Sequence, residues 1–99
     1  ILYHFCHTVQ EALIGKIKPH LRAVKVDVDE LKKVFYFWFY YDDEVSSEDR
    51  ALMESVVQCA HKWPDFSCMK EIEQLPRWQK TPNIGRFLYD RYPDSGFIL

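Results

Sequence analysis

One run of residues constrains this chain more than any other: Val34-Phe35-Tyr36-Phe37-Trp38-Phe39-Tyr40-Tyr41. Every side chain in it is β-branched or aromatic, the types that favour a pleated strand over a helix. Neither alternate set of positions is polar. The run therefore predicts a central strand covered, at least in part, on both faces. A strand of this kind needs neighbours, so the rest of the chain is read as what surrounds it.

A first partner lies just upstream. Arg22, Val24, Val26 and Val28 alternate with Ala23, Lys25 and Asp27. Such period-two alternation predicts a half-buried strand. Asp29-Glu30 and Lys32-Lys33 form a charged connection, and a hairpin is the simplest way to join the two strands. Two further strands are expected, at Phe66–Gln74 and Gly85–Tyr92. Lys70, Glu71 and Glu73 dilute the former. Between them, Leu75-Pro76 to Pro82-Asn83 reads as a loop. Pro93-Asp94-Ser95-Gly96 reads as a terminal turn.

Two helices complete the pattern. Thr8 followed by Glu11 is a capping-box spacing, and Gly15 suits the position just past a helix end. These residues predict a short helix over Val9–Ile14, and leave residues 1–7 as an N-terminal segment whose order stays open. Ser46 and Ser47 are good N-caps, and Glu48 and Asp49 suit a first turn. The second helix is expected from Glu48 to Lys62. Leu52, Met53, Val56, Val57, Ala60 and Trp63 form its apolar stripe. Trp63-Pro64 ends it.

The expected order is α-β-β-α-β-β. It predicts a single α+β domain over residues 1–99, with one four-stranded, largely antiparallel sheet and the long helix packed on one face. The other face of the aromatic strand then needs cover from the first helix and the N-terminal segment. Failing that, it is an exposed aromatic patch that would mark an interaction surface.

Composition narrows the function classes. With 13 basic and 15 acidic residues the formal net charge is −2, unlike that of a general nucleic-acid binder. The three cysteines, Cys6, Cys59 and Cys68, are widely spaced and odd in number. They read as free thiols in a cytoplasmic protein, with a Cys59–Cys68 bridge left open. No apolar run reaches membrane-span length, and the start has no signal-peptide pattern.

No enzyme motif has the spacing its chemistry needs. Glycine-rich phosphate loops, HExxH, GxSxG and CxxC are all missing. His4, Cys6 and His7 fall short of a four-ligand zinc set. Cys59 and His61 sit two apart on the expected helix and point about 200° apart. The chain is accordingly expected to be no enzyme and to carry no cofactor or metal. The aromatic strand could serve as a base-stacking platform for single-stranded nucleic acid. Asp42, Asp43 and Glu44 directly after it would repel phosphates, so nucleic acid is the secondary reading. An exposed face of the same strand would serve a homodimer equally well.

The acidic segment is the strongest functional signal. Asp42, Asp43, Glu44, Glu48 and Asp49 lie close together with no base among them. Glu48 and Asp49 are explained by a helix start alone. Together the group still creates a local negative field that attracts a basic partner. Asp27, Asp29 and Glu30 form a second group, expected at the opposite end of the hairpin.

The segments Glu11-Ala12-Leu13-Ile14-Gly15-Lys16-Ile17-Lys18-Pro19-His20-Leu21-Arg22-Ala23-Val24 and Phe39-Tyr40-Tyr41-Asp42-Asp43-Glu44-Val45-Ser46-Ser47-Glu48-Asp49 resemble small bacterial immunity proteins of contact-dependent growth-inhibition toxin systems. The resemblance covers about Glu11 to Phe66. It implies a protein that binds and neutralises a cognate toxin domain, often a nuclease, with no shared catalytic residues. Asp42, Asp43, Glu44, Glu48 and Asp49 are then expected to face the basic surface of that toxin. Tyr40 and Tyr41 would serve as aromatic anchors.

Overall fold

A computed structural model describes residues 1–91. The elements are α1 (Leu2–Leu13), β1 (Leu21–Asp29), β2 (Val34–Tyr41), α2 (Ser47–Val57), β3 (Ser67–Gln74) and β4 (Arg86–Asp90). A 3-10 segment, Gln58–Lys62, continues α2. Tyr92 and the expected turn at Pro93–Gly96 lie outside the described residues.

The aromatic run is β2, and it lies inside the sheet, whose order is β3-β2-β1-β4. β1 and β2 form the expected antiparallel hairpin, from Leu21↔Tyr41 to Asp29↔Val34. The Asp29 carboxylate accepts the Lys32 N–H at 3.0 Å in the turn, and Lys33 takes the left-handed conformation (φ 55°). β4 joins the outer side of β1, also antiparallel.

β3 departs from expectation. It pairs with β2 in parallel, from Val34↔Ser67 to Tyr41↔Gln74. The sheet is therefore mixed, not largely antiparallel. The reason is the helical stretch between the two strands: it carries the chain back to the end where β2 began, so the next strand runs the same way.

Alternation along β2 divides the core in two. Phe35, Phe37, Phe39 and Tyr41 join Leu21, Val24 and Val26 on one face. Phe5, Val9 and Leu13 of α1 and Met53, Val56 and Ala60 of the α2 segment belong to the same buried cluster. The Phe35 ring stacks on Phe5 at 4.0 Å and on Phe66 at 4.5 Å between centroids. Both helices thus contribute to this face, where the sequence assigned it to the long helix alone.

α1 begins seven residues' worth of chain earlier than its capping pattern suggests. Thr8 is buried within the helix, and Ile1 precedes it without a side-chain cap. The stripe that matters is Phe5, Val9 and Leu13, each four apart, which the tertiary core stabilises more than a local cap would. Residues 1–7 are mostly its first half. Gly15, with φ +77°, follows the helix end as expected.

The second face is closed by neither candidate cover. Its buried residues are Ala23, Trp38, Tyr40 and Leu75. The connection from β3 to β4, residues 75–85, passes from one edge of the sheet to the other and supplies Leu75. Its path is held by β1, which is buried on both sides from Leu21 to Val26 and is not half-exposed. Arg22, at the bulge between Leu21 and Ala23, donates from Nη1 to the carbonyls of Leu75 (3.1 Å) and Pro76 (2.6 Å). Lys25 Nζ donates to the Pro82 carbonyl at 2.5 Å and lies 4.3 Å from the Phe87 ring centroid. Gly85 (φ +72°) lies against Trp38, and a Cβ there would stand 2.7 Å from Cζ3 of that ring.

Candidate protein-binding surface

The acidic segment spans the corner between β2 and α2. β2 ends where the Asp42 N–H donates to the His20 carbonyl at 3.0 Å. Asp43 Oδ1 accepts the Glu44 N–H at 2.7 Å, which tightens the turn. Ser46 then caps α2. Its Oγ accepts the Asp49 N–H at 3.1 Å, and Asp49 Oδ2 accepts the Ser46 N–H at 2.9 Å. This reciprocal capping box satisfies donors that a helix start otherwise leaves orphaned.

Asp49 has a further partner that no local pattern announces. Its Oδ2 lies 2.6 Å from His20 Nε2, joining the segment before β1 to the start of α2. Only 3% of Asp49 is exposed. Burial works to raise its carboxyl pKa, but the bonds from His20 and Ser46 together outweigh burial and hold it below the ordinary value. Asp49 is therefore an internal tie between the segment before β1 and the start of α2.

The two expected anchors are also internal. Tyr40 and Tyr41 are each 1% exposed, on opposite faces of the sheet. Burial, followed by the carboxylates of Glu73 and Glu71, pushes the Tyr40 hydroxyl up to about 12. Burial and Asp49 do the same for Tyr41, also to about 12. A central strand with aromatic side chains on both faces has no free ring to offer at this end.

Asp43, Glu44 and Glu48 remain outward and exposed, and none enters a salt bridge with a described residue. Asp42 is half-buried and has a partner. The corner thus keeps part of the charge expected of it. The second acidic group lies at the far end of the hairpin, as Asp29↔Val34 and Leu21↔Tyr41 require.

Another acidic surface was missed. β3 is an edge strand, exposed along its length except at Ile72. Glu71 and Glu73 project beside Trp38 and Tyr40 in register. Tyr36 stacks with Trp38 at 5.8 Å, next to Met69, which is 59% exposed. A recess of about 170 Å³ is lined by Tyr36, Trp38, Met69 and Glu71 among others. The sequence did carry a signal: charged residues interrupting a strand are how natural edges are marked.

The remaining sequence candidates do not assemble. His4, Cys6 and His7 lie on α1, where His7 pairs with Glu11 at 3.1 Å. Cys6 borders a groove of about 620 Å³ between α1 and β4; burial raises its thiol pKa. Cys59 and His61 fall in the 3-10 segment, and all three cysteines are free. A base-stacking platform is not available on β2, since its rings are buried apart from the half-buried Tyr36. Among the described residues, no helix is long and apolar enough to cross a membrane.

No curated protein matches the chain. The family model of the MafI2 immunity protein matches residues 4–92, from the first turn of α1 to just past β4. That span takes in both helices and the whole sheet, and the chain belongs to the MafI2 immunity protein family.

Proposed function

We propose that this chain, acting as one domain, neutralises a cognate bacterial toxin domain by forming a direct complex with it. The toxin is a nuclease delivered in contact-dependent competition, and the complex forms in the cytoplasm, where the three free thiols are at home. Family membership supports the immunity role. The observation that carries the chemistry is the corner after β2. There Asp43, Glu44 and Glu48 stand exposed, with no salt bridge to a described residue, on a turn held by the Ser46–Asp49 capping box.

Nucleases hold phosphates with basic clefts. Carboxylates on a rigid turn can occupy or border such a cleft without paying to order a loop first. Carboxylates placed this way also speed encounter with a basic surface, whose charge is opposite. Asp42 flanks the three, while Asp49, Tyr40 and Tyr41 support the corner from inside.

The test is co-purification with the product of the neighbouring gene, followed by calorimetry. Wild-type protein is expected to bind tightly and to block toxin activity. The triple variant Asp43→Lys, Glu44→Lys, Glu48→Lys is expected to weaken binding at least tenfold and to slow association most at low salt. Unchanged affinity in the triple variant would remove the corner from the interface.

A further inference from the structure

We propose that the open edge of β3 is a strand-addition site for an extended, arginine-bearing segment of the toxin partner. The proposal rests on the toxin-neutralising reading above and assigns it a second surface.

The backbone supplies the first argument. Ser67 donates its N–H to the Lys33 carbonyl, and Leu75 donates to that of Tyr41. With the period of two in a parallel ladder, Ser67, Met69, Glu71 and Glu73 turn their backbone groups toward β2. Cys68, Lys70, Ile72 and Gln74 turn theirs outward, to the side of the sheet where no strand lies among the described residues. The β2–β3 register runs from Val34↔Ser67 to Tyr41↔Gln74 without a shift. β3 contains no proline. Bulges, prolines and short length are what usually blunt such an edge. Here the remaining device is charge, and Lys70 is turned away onto Glu54 of α2 at 2.7 Å.

The side chains supply the second argument and identify the occupant. On the face away from the helices, β3 presents Met69, Glu71 and Glu73. Neither glutamate forms a hydrogen bond or ion pair with a described residue. Beside them lies the recess that Tyr36, Trp38 and Met69 line. An arginine from an added strand can lay its guanidinium against Tyr36 while donating to Glu71. The next arginine on the same face, two residues along, meets Glu73. A neutral or acidic strand would leave those carboxylates facing nothing. The site also runs into the corner described above. Gln74 is level with Tyr41, and Asp42–Glu44 follow directly. One basic partner can therefore engage both.

Amide hydrogen exchange on the intact protein, free and with the toxin domain with which it co-purifies, tests this without a substitution. In the free protein the amides of Cys68, Lys70, Ile72 and Gln74 are expected to exchange quickly, and those of Met69, Glu71 and Glu73 slowly. In the complex the outward set is expected to slow at least tenfold. The variant Glu71→Arg/Glu73→Arg, checked for wild-type circular dichroism, is expected to bind at least tenfold more weakly. If the complex forms and neither quantity changes, strand addition at β3 is wrong and toxin neutralisation stands. If wild-type protein does not bind the toxin, the neutralising reading fails and takes this proposal with it. If the outward amides are already slow in the free protein, and become faster on dilution, the occupant is a second copy of this chain and the toxin assignment is overturned.

Discussion

The two faces of the sheet are closed by different means. On one face, α1 and the α2 segment bring rings and aliphatic groups into one buried cluster with Phe35, Phe37 and Phe39. On the other, a loop without helix or strand lies across Trp38 and Tyr40, and two cations from β1 hold it through its carbonyls. The first closure is paid in apolar area, which is non-directional and tolerant of small shifts. The second is directional, and each anchor is a particular bond at a particular place. The helical face should therefore fail in proportion to volume lost, and the loop face at single points.

Phe35→Ala probes the helical face and has the largest expected effect. The ring is fully buried and stacks with Phe5 and Phe66. Its loss should cost about 3–5 kcal/mol, read from the urea midpoint. A cost under about 1 kcal/mol would mean that the helices do not pack on this strand as described.

Two substitutions address the loop face. Gly85→Ala combines a left-handed backbone with a Cβ 2.7 Å from the Trp38 ring. About 2 kcal/mol is expected, together with a change in tryptophan fluorescence. Arg22→Met strips the side-chain donor from the Leu75 and Pro76 carbonyls. A loss of about 1–3 kcal/mol should follow. Limited proteolysis within residues 75–85 should rise well before the helical face loosens, whereas uniform opening would erase the distinction between the faces.

Asp49→Ala removes the capping box and the His20 bond at once, for about 1–2 kcal/mol. The pH dependence sharpens this. Folding lowers the Asp49 pKa below its ordinary 3.8. The folded state therefore binds the proton less readily than the unfolded one. The stabilisation is complete above that ordinary value and drains away as pH falls through the lower folded value. Asp49→Asn should flatten the acid limb of the stability curve.

The smallest stability effect belongs to the corner. Glu44→Lys lies on the surface and should stay within about 0.5 kcal/mol of wild type in thermal melts. Asp43→Lys gives up the bond to the Glu44 N–H and Glu48→Lys reverses a charge in the first turn of α2, for about 0.5–1 kcal/mol each. Losses of this size leave the protein folded, which is what makes the expected effect on toxin binding interpretable.

Much of the fold was legible in the residues because local and global preferences agree there. Val34–Tyr41 has no helical alternative, and its strand spans the expected residues. Ser46 caps α2 where the Ser-Ser-Glu-Asp pattern places a helix start. Elsewhere one local pattern masked a longer one. Thr8 and Glu11 imitate a cap, while Phe5, Val9 and Leu13 carry the true stripe. The parallel pairing of β3 was implied by the long helical connection, but strand direction is fixed by where a crossover returns, not by composition. Of the candidate surface, Asp43, Glu44 and Glu48 were visible as charge in a turn. Asp49, Tyr40 and Tyr41 belong to the same stretch but are turned inward, because His20 and the 75–85 loop come from distant parts of the chain.

The anchors of that loop are main-chain oxygens: those of Leu75, Pro76 and Pro82. A carbonyl is present whatever residue carries it. Between the fixed points, the exposed residues Trp78 to Lys80 can thus exchange side chains while Arg22 and Lys25 keep their acceptors. Trp78, 83% exposed, already stands on that stretch. The scaffold separates what the loop must do to stay in place from what it displays on a short exterior segment.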